Sequence, residues 1–388
     1  MKVLISGASI AGPALAYWLG RFGLEPAVVE IAPELRTGGN AVDFRGPLHM
    51  GLLERMGVLD ELRAVETGGT AMRFVDASGA KLMEWPAGLA GGDLEVRRGD
   101  LARILVTAGA DHTDYLFGDS IASLDEHEGG VDVTFASGRQ TTFDLVVGAD
   151  GVHSRVRRLA FGPEERFVKH LGYYVATWAA PGTEEDLVLY NEPGRMISTG
   201  RDGAFAAFVS PKLTYDRHDL AEQKSILRDR YAGMGWRAPQ LLDALRKADD
   251  LYFDQICRVD APEWTRGRVA LVGDAASGAT IGGQGNGTAL VGAYVLAAEL
   301  AAAGGNHREA FGAYEKRIGR FARGTQKGGD TTGRFLAPRT ARGIRLRNYL
   351  NNRRWFLDLT FKIAADRATN LELTAEPRPL RPSPRRPA

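Results

Sequence analysis

The residues best suited to chemistry lie close to the N-terminus, in the turn Ser6-Gly7-Ala8-Ser9-Ile10-Ala11-Gly12. A strand, Val3-Leu4-Ile5, runs into it, and an alanine- and leucine-rich helix with a stripe of Leu15, Trp18 and Leu19 runs out of it. Gly7 permits a tight turn off the strand, and Gly12 lets the helix approach the sheet closely. Ser9 stands where the fingerprint usually has its middle glycine and is small enough for a ligand to come near. The N–H groups around Ile10 and Ala11 open a helix whose positive end suits a pyrophosphate. A second strand, Ala27-Val28-Val29, ends on Glu30, eighteen residues past Gly12, where a carboxylate can accept hydrogen bonds from an adenosine ribose.

Two further strand ends carry loops of the same kind. Phe143 to Val147 leads into Gly148-Ala149-Asp150-Gly151, with Arg155 at the start of the next helix. Arg268 to Val272 leads into Gly273-Asp274-Ala275-Ala276 and then to Gly285-Asn286-Gly287, ahead of a long apolar helix expected over Thr288 to Ala303. Three such loops can meet at the carboxyl edge of one parallel sheet, where ligands of open α/β sheets bind. The seven histidines have no metal-ligand spacing, so no metal is expected, and the single cysteine, Cys257, cannot form a disulfide within the chain.

The elements that must position these loops follow from the remaining pattern. The fold class expected is α/β, a Rossmann-like nucleotide-binding domain with an inserted β-sheet substrate domain and a C-terminal helix. The nucleotide-binding parts are 1–67, 98–163 and 265–332. The inserted parts are 68–97, which reads as a hairpin, and 164–264, which is mostly strands with two helices. A helical segment over 333–375 and a disordered tail over 376–388, half proline and arginine, complete the chain. Pro47 to Leu62 reads as one helix with a weak point at Gly57. His153 reads as a surface histidine at a helix start. A net charge of +1 gives no electrostatic case for nucleic acid, and no apolar run approaches the roughly 20 residues that span a bilayer. A cytoplasmic protein acting as a monomer, without membrane or nucleic-acid partners, is the expectation.

Taken together, the Gly7–Gly12 turn with Glu30, the Arg98-x-x-Leu101 pair, Asp144-Leu-Val-Val-Gly-Ala-Asp-Gly-Val-His-Ser-Arg155 and Gly273-Asp274-Ala-Ala with Gly-Gln-Gly-Asn-Gly287 resemble the FAD-dependent aromatic hydroxylases of the para-hydroxybenzoate hydroxylase fold, the group A flavin monooxygenases. Within that family the chain is similar to tetracycline-inactivating and polyketide-tailoring enzymes. Gly38 to Gly46, His170-Leu-Gly-Tyr173, Leu251-Tyr-Phe-Asp254 and Gly292 to Leu296 carry the closer likeness. The resemblance implies FAD as cofactor, NADPH or NADH as co-substrate, and O₂ and a small aromatic molecule as reactants. The reaction implied is hydroxylation of a polycyclic aromatic or polyketide substrate through a C4a-hydroperoxyflavin, with a tetracycline as one such substrate. It implies that Glu30 holds the adenosine ribose, Arg98 and Asp274 the phosphate and ribityl region, and Gly285, Asn286 and Gly287 the pyrimidine edge of the flavin. Asp150, Gly151 and Arg155 are linked in the family to FAD and to NAD(P)H. No general base is assigned, because the cofactor carries the chemistry. Arg45, Tyr190 and Arg195 are polar candidates for the substrate pocket. Ser277 stands where most relatives have histidine, and no proline lies between 274 and 285. Alternative readings are a same-fold flavoprotein reductase and a non-catalytic flavin- or ligand-binding protein.

Overall fold

Strands that are apolar on both faces belong inside a parallel sheet, and the N-terminal strand Lys2–Ser6 is one of them. The computed structural model describes residues 1–36, 41–87, 92–180, 182, 186–201, 203–281, 285–326, 329–353, 355–357 and 377–380. In it Lys2–Ser6 lies between Leu145–Gly148 and Glu25–Glu30 in a six-stranded sheet. Asp114–Phe117 extends the sheet beyond Glu25–Glu30, and Val269–Leu271 extends it beyond Leu145–Gly148. These five strands are parallel, and the short Thr265–Arg266 closes the edge antiparallel. Asp114–Phe117 is not evident in the sequence, where its neighbours Asp111 to Asp114 give no apolar run.

Two helices cover this sheet for different reasons. Ala11–Arg21 is amphipathic and buries Leu15, Trp18 and Leu19. Gly285–Ala302 is apolar all round, which suits a helix enclosed by protein on every side. The two meet at Trp18 and Tyr294, whose rings cross edge to face at 4.9 Å.

A second sheet of seven strands runs in the order Tyr252–Val259, Val168–Trp178, Gly203–Val209, Arg195–Gly200, Leu187–Glu192, Met72–Val75, Lys81–Trp85. The hairpin of 72–85 therefore joins a sheet built mostly more than eighty residues later, through the parallel pair of Met72–Val75 with Leu187–Glu192. One face of this sheet is covered by the helices Leu220–Tyr231 and Ala238–Lys247, over a cluster that includes Tyr174, Trp178, Ile197, Phe208 and Leu245. The other face carries Phe74, Val175, Leu189 and Ile256, packed against Leu336 of the helix Gly329–Leu336 and against Ile281.

Three local differences from the sequence reading have simple causes. The helix expected over Pro47 to Leu62 divides into Gly46–Arg55 and Leu59–Ala64, with the break at Gly57. The apolar helix begins at Gly285, earlier than Thr288, because Gly285, Asn286 and Gly287 themselves form its first turn. Within the tail expected to be disordered, Leu380 donates its N–H to Phe22 O at 2.8 Å and packs partly buried against the first core. The stretches Gly38-Gly39-Asn40 and Gly282-Gly283-Gln284 lie outside the described residues, as do 358–376 and 381–388.

Candidate active site

Register alone brings the three loops together. Ser6 is level with Val29 on one side and with Gly148 on the other, and Gly148 is level with Leu271. The chain segments after these residues all leave the same carboxyl edge. They also touch. Ala149 N–H donates to Ser6 O at 2.9 Å, and Val272 N–H donates to Gly148 O at 2.9 Å.

The first loop is shaped by close backbone approach. Gly7 has φ of 108°, and a Cβ on Gly12 would stand 1.9 Å from Gly7 O. No side chain fits at Gly12. Ala8 N–H donates to Glu30 Oε2 at 2.8 Å, and Ala32 N–H donates to Glu30 Oε1 at 3.0 Å. Glu30 thus braces the turn and the chain leaving its own strand, and its position at the sheet edge leaves it half-buried. Ile10 gives the helix Ala11–Arg21 no side-chain cap, no acidic residue lies in the first turn, and Ser9 is exposed beside it. Free N–H groups and an uncompensated dipole remain for an external anion.

The second loop is turned inward. Asp150 takes hydrogen bonds from Arg155 N–H at 2.8 Å, Val156 N–H at 3.1 Å and Ser6 Oγ at 3.4 Å, and also from the Ser154 hydroxyl. Burial pushes its carboxyl up, while these donors pull it down. Asp150 is the anchor of the helix Arg155–Ala160. Buried Arg157 donates to Ala275 O at 2.8 Å and so ties this loop to the third. Arg155 has no ion pair among the described residues, and Gly151 keeps open space around its Cα.

His153 is not the surface residue expected. Its Nδ1 lies 3.0 Å from Glu164 Oε1 and its Nε2 3.0 Å from Asp254 Oδ2. Burial pulls the imidazole down, but hydrogen bonds to Asp254 and Glu164 outweigh it and raise the pKa to about 9. The histidine clamps the second loop to the strand Tyr252–Val259. Only the tertiary fold brings these carboxylates to it, so no local spacing announces them.

The third loop presents Asp274. No described residue hydrogen-bonds its side chain. A Cβ on Gly285 would stand 3.1 Å from Asp274 Oδ1, so the carboxylate sits against the start of the helix Gly285–Ala302. Burial pushes the Asp274 carboxyl up, and the Arg98 guanidinium acts against that shift. Arg98 itself is exposed at the first position of the helix Arg98–Gly109.

Behind Gly287 lies a residue that the sequence reading missed. His49 is buried, and a Cβ on Gly287 would stand 2.3 Å from its Cε1 and Nε2. Arg45 N–H donates to His49 Nδ1 at 3.3 Å, which fixes the proton on Nε2, and Nε2 has no partner. Burial lowers this imidazole to about 4, so it is neutral. Arg45 is half-buried here, with Nε on Asp43 Oδ2 at 2.6 Å. A lone histidine in an apolar helix pattern carries no signal of such a contact.

The sheet face that turns toward these loops is apolar. Register sets Met72 level with Leu187, Leu187 beside Gly200, and Phe205 level with Thr177, which is level with Tyr252. Met72, Leu187 and Phe205 are only partly buried, and Tyr252 is 47% exposed. The platform therefore runs from Met72 to Tyr252, and the charge of Arg98 reaches Tyr252.

The structure places Tyr190 and Arg195 away from this apolar face. Tyr190 packs in the cluster under the outer helices, near Trp236, and its hydroxyl donates to Glu192 Oε1 at 3.1 Å. Arg195 is level with Phe208 of that same cluster and donates to Glu192 Oε2 and to Arg230 O at 2.8 Å. The strand alternation puts both on the far side of the sheet from Leu187 and Phe205. No metal-ligating cluster occurs among the described residues, and no described helix is long and apolar enough to cross a membrane.

Comparison with known proteins agrees with this architecture. Residues 1–325 match the family described as FAD binding domain. A flavin-dependent monooxygenase of Legionella longbeachae serogroup 1 (strain NSW150) is 38% identical over 343 residues, covering 85% of this chain and 88% of that protein. An uncharacterized protein of Mycobacterium tuberculosis (strain ATCC 25618 / H37Rv) is 41% identical over 341 residues, covering 84% and 91%. The crystal structure of the tetracycline destructase Tet(51) superposes with a TM-score of 0.84 at 32% identity, covering 96% of this chain and 99% of that one. A fold of two sheets with three loops at one parallel edge, and a sequence match over most of the chain, lead to one conclusion: this chain belongs to the FAD-binding flavin-dependent monooxygenases.

Proposed function

We propose that the enzyme uses NAD(P)H and O₂ to hydroxylate a flat, polycyclic phenolic or enolic substrate, with a tetracycline as the first candidate. The observation that carries this reading is the apolar platform of Met72, Leu187, Phe205 and Thr177, which leads to Tyr252 and Arg98 at the nucleotide edge. A planar ring system buries well on such a surface, and polar groups at one end fix its orientation. Similarity to a tetracycline destructase supports the substrate class.

The residues fit FAD. The N–H groups at Ser9, Ile10, Ala11 and Gly12 would face its pyrophosphate, on a helix start held against the turn because Gly12 carries no Cβ beside Gly7 O. Glu30 would take the adenosine ribose hydroxyls with lone pairs left over from its two backbone bonds. Asp274, which has no hydrogen-bond partner among the described residues, would accept from a ribityl hydroxyl, and Arg98 would meet the phosphate. Gly285, Asn286 and Gly287 would offer a helix N-terminus to the negative edge of the reduced ring. His49 Nε2, buried and unpartnered, packs against that helix start. Asp150 would act indirectly by anchoring its loop, with Gly151 and Arg155 on the side of the nicotinamide co-substrate.

When bound, FAD supplies the redox chemistry, taking electrons from the nicotinamide and activating O₂. The chain's share is to bind, orient and exclude water. The apolar platform would exclude water beside the reacting carbon, and Ile281, packed against the same cluster, would extend that wall.

The test is one assay. The purified protein should be yellow, its NADPH oxidation should rise on adding a tetracycline, and mass analysis should find a product heavier by one oxygen atom. A yellow protein with no stimulation by tetracyclines would discard that substrate.

A further inference from the structure

The helices Gly329–Leu336 and Ala341–Asn351 and the loop between them carry three arginines into one cleft. Its volume is about 400 Å³, and Tyr173, Arg334, Pro338, Arg339, Gly343 and Arg347 line it. Arg334 belongs to Gly329–Leu336, Arg347 to Ala341–Asn351, and Arg339 to the loop between them. None of the three has a carboxylate partner among the described residues.

Arg347 is buried. Its guanidinium lies 4.3 Å over the Phe74 ring and donates to Phe335 O at 2.7 Å, Asn191 Oδ1 at 2.9 Å and Asn348 Oδ1 at 2.9 Å. All these acceptors are neutral. They satisfy the N–H groups and leave the charge uncompensated. Burial alone acts on its pKa, lowering it to about 10, so the group is fully charged at neutral pH. Arg339 and Arg334 are exposed, and the Arg339 guanidinium sits 5.7 Å over the Tyr173 ring. Under it Tyr173 is buried to within 3% of its surface, and its hydroxyl has no hydrogen-bond partner.

Three arginines line this cleft with no carboxylate partner among the described residues, and the charge of the buried one meets only neutral acceptors. A buried hydroxyl without a partner adds to the cost. A ligand in the cleft would answer the uncompensated charge. An oxyanion presents several acceptor oxygens, and the planar guanidinium is shaped to meet them.

We propose that this cleft binds a small oxyanion, the phosphate or carboxylate group of a metabolite, at a site separate from the flavin and substrate cleft. The separation follows from register. Tyr173 is level with Val209 and Ile256, toward the opposite end of the sheet face from Phe205 and Leu187. Bound there, the anion links both C-terminal helices to the sheet, because Tyr173 belongs to the sheet and each helix gives an arginine.

The test uses the FAD-loaded protein, so that the pyrophosphate site is filled, and inorganic phosphate as the probe at constant ionic strength. Calorimetric titration should show saturable binding. The double variant Arg334→Gln/Arg339→Gln, changed only at exposed side chains, should keep its flavin absorbance and thermal midpoint in the absence of phosphate. It should bind phosphate about tenfold more weakly or worse, the effect of losing a charge-assisted hydrogen bond. Arg228→Gln, on an exposed helix of the other sheet face, should leave phosphate binding unchanged. Absence of binding to the unaltered enzyme would overturn the proposal, and so would equal binding by the double variant.

Discussion

Asp150 and Asp274 occupy matching places, each behind a glycine-bearing loop at the end of a parallel strand, yet their surroundings are opposite. Asp150 is held by two backbone N–H groups and two hydroxyls of its own chain. Asp274 has no such donor among the described residues, stands against Gly285 of a helix, and is acted on by burial and by the charge of Arg98. One acid holds the fold, and the other is the one proposed to meet a ligand. A loop motif fixes where an acid sits along the chain, but it does not decide which donors reach it.

The contrast can be broken by paired substitutions. Asp150→Ala strands buried donors at Ser154, Arg155 and Val156 and should cost about 3 kcal/mol of folding stability. Chemical denaturation followed by far-UV circular dichroism would measure it. Asp274→Ala should change apoprotein stability by less than about 1 kcal/mol, since no internal partner is lost. It should weaken FAD binding about 10- to 100-fold, as expected for loss of one hydrogen bond to a charged acceptor. Flavin fluorescence during titration of the apoprotein reads that change. If Asp150→Ala lost only FAD affinity and Asp274→Ala only stability, the assignment would be reversed.

A third test sharpens the picture of the second loop as structural. His153 titrates at about 9 in the folded chain, against about 6.5 when unfolded. The folded state therefore holds its proton more tightly, and the stability it contributes is complete below about pH 6.5 and lost as the pH rises through 9. Glu164, held at about 2 by His153 against the opposing effect of burial, contributes above its unfolded value and fails only in strong acid. His153→Gln should remove on the order of 1 to 2 kcal/mol at pH 6 and flatten the decline in melting temperature between pH 6.5 and 9. An undiminished decline in the variant would show that another group titrates there.

What was legible in the sequence follows the same division. The nucleotide edge depends on backbone constraints that only certain residues meet. Gly12 cannot carry a Cβ beside Gly7 O, and such demands leave fixed spacings in a sequence. Four of the five parallel strands are legible for a similar reason, as short buried runs rich in valine, leucine and isoleucine, whereas Asp114–Phe117 has no such run. The face proposed for the substrate has no such signature. Met72, Leu187, Phe205 and Tyr252 come from four strands scattered over 180 residues, and any apolar residue of similar size would meet the demand there. His49 was hidden because its role depends on Gly287, far along the chain. Tyr190 and Arg195 looked suitable because they are polar in a strand-rich segment. Alternation gave their strands two faces, but it did not tell which face the outer helices would cover.

That last point gives the mildest of the expected effects. Tyr190 lies under the outer helices with its hydroxyl on Glu192, and Glu192 also takes the N–H of Gly235 at 3.1 Å and the guanidinium of Arg195. Tyr190→Phe removes one of several bonds to a carboxylate that stays well paired, so it should cost about 0.5 to 1.5 kcal/mol of stability. Steady-state kinetics should keep KM for the aromatic substrate, because a whole sheet separates this hydroxyl from the platform. Phe205→Ala, on the platform itself, should raise that KM while leaving the flavin spectrum unchanged. A Tyr190→Phe enzyme with raised KM and intact stability would mean that the substrate reaches the outer face, and the platform would no longer be where the chemistry happens.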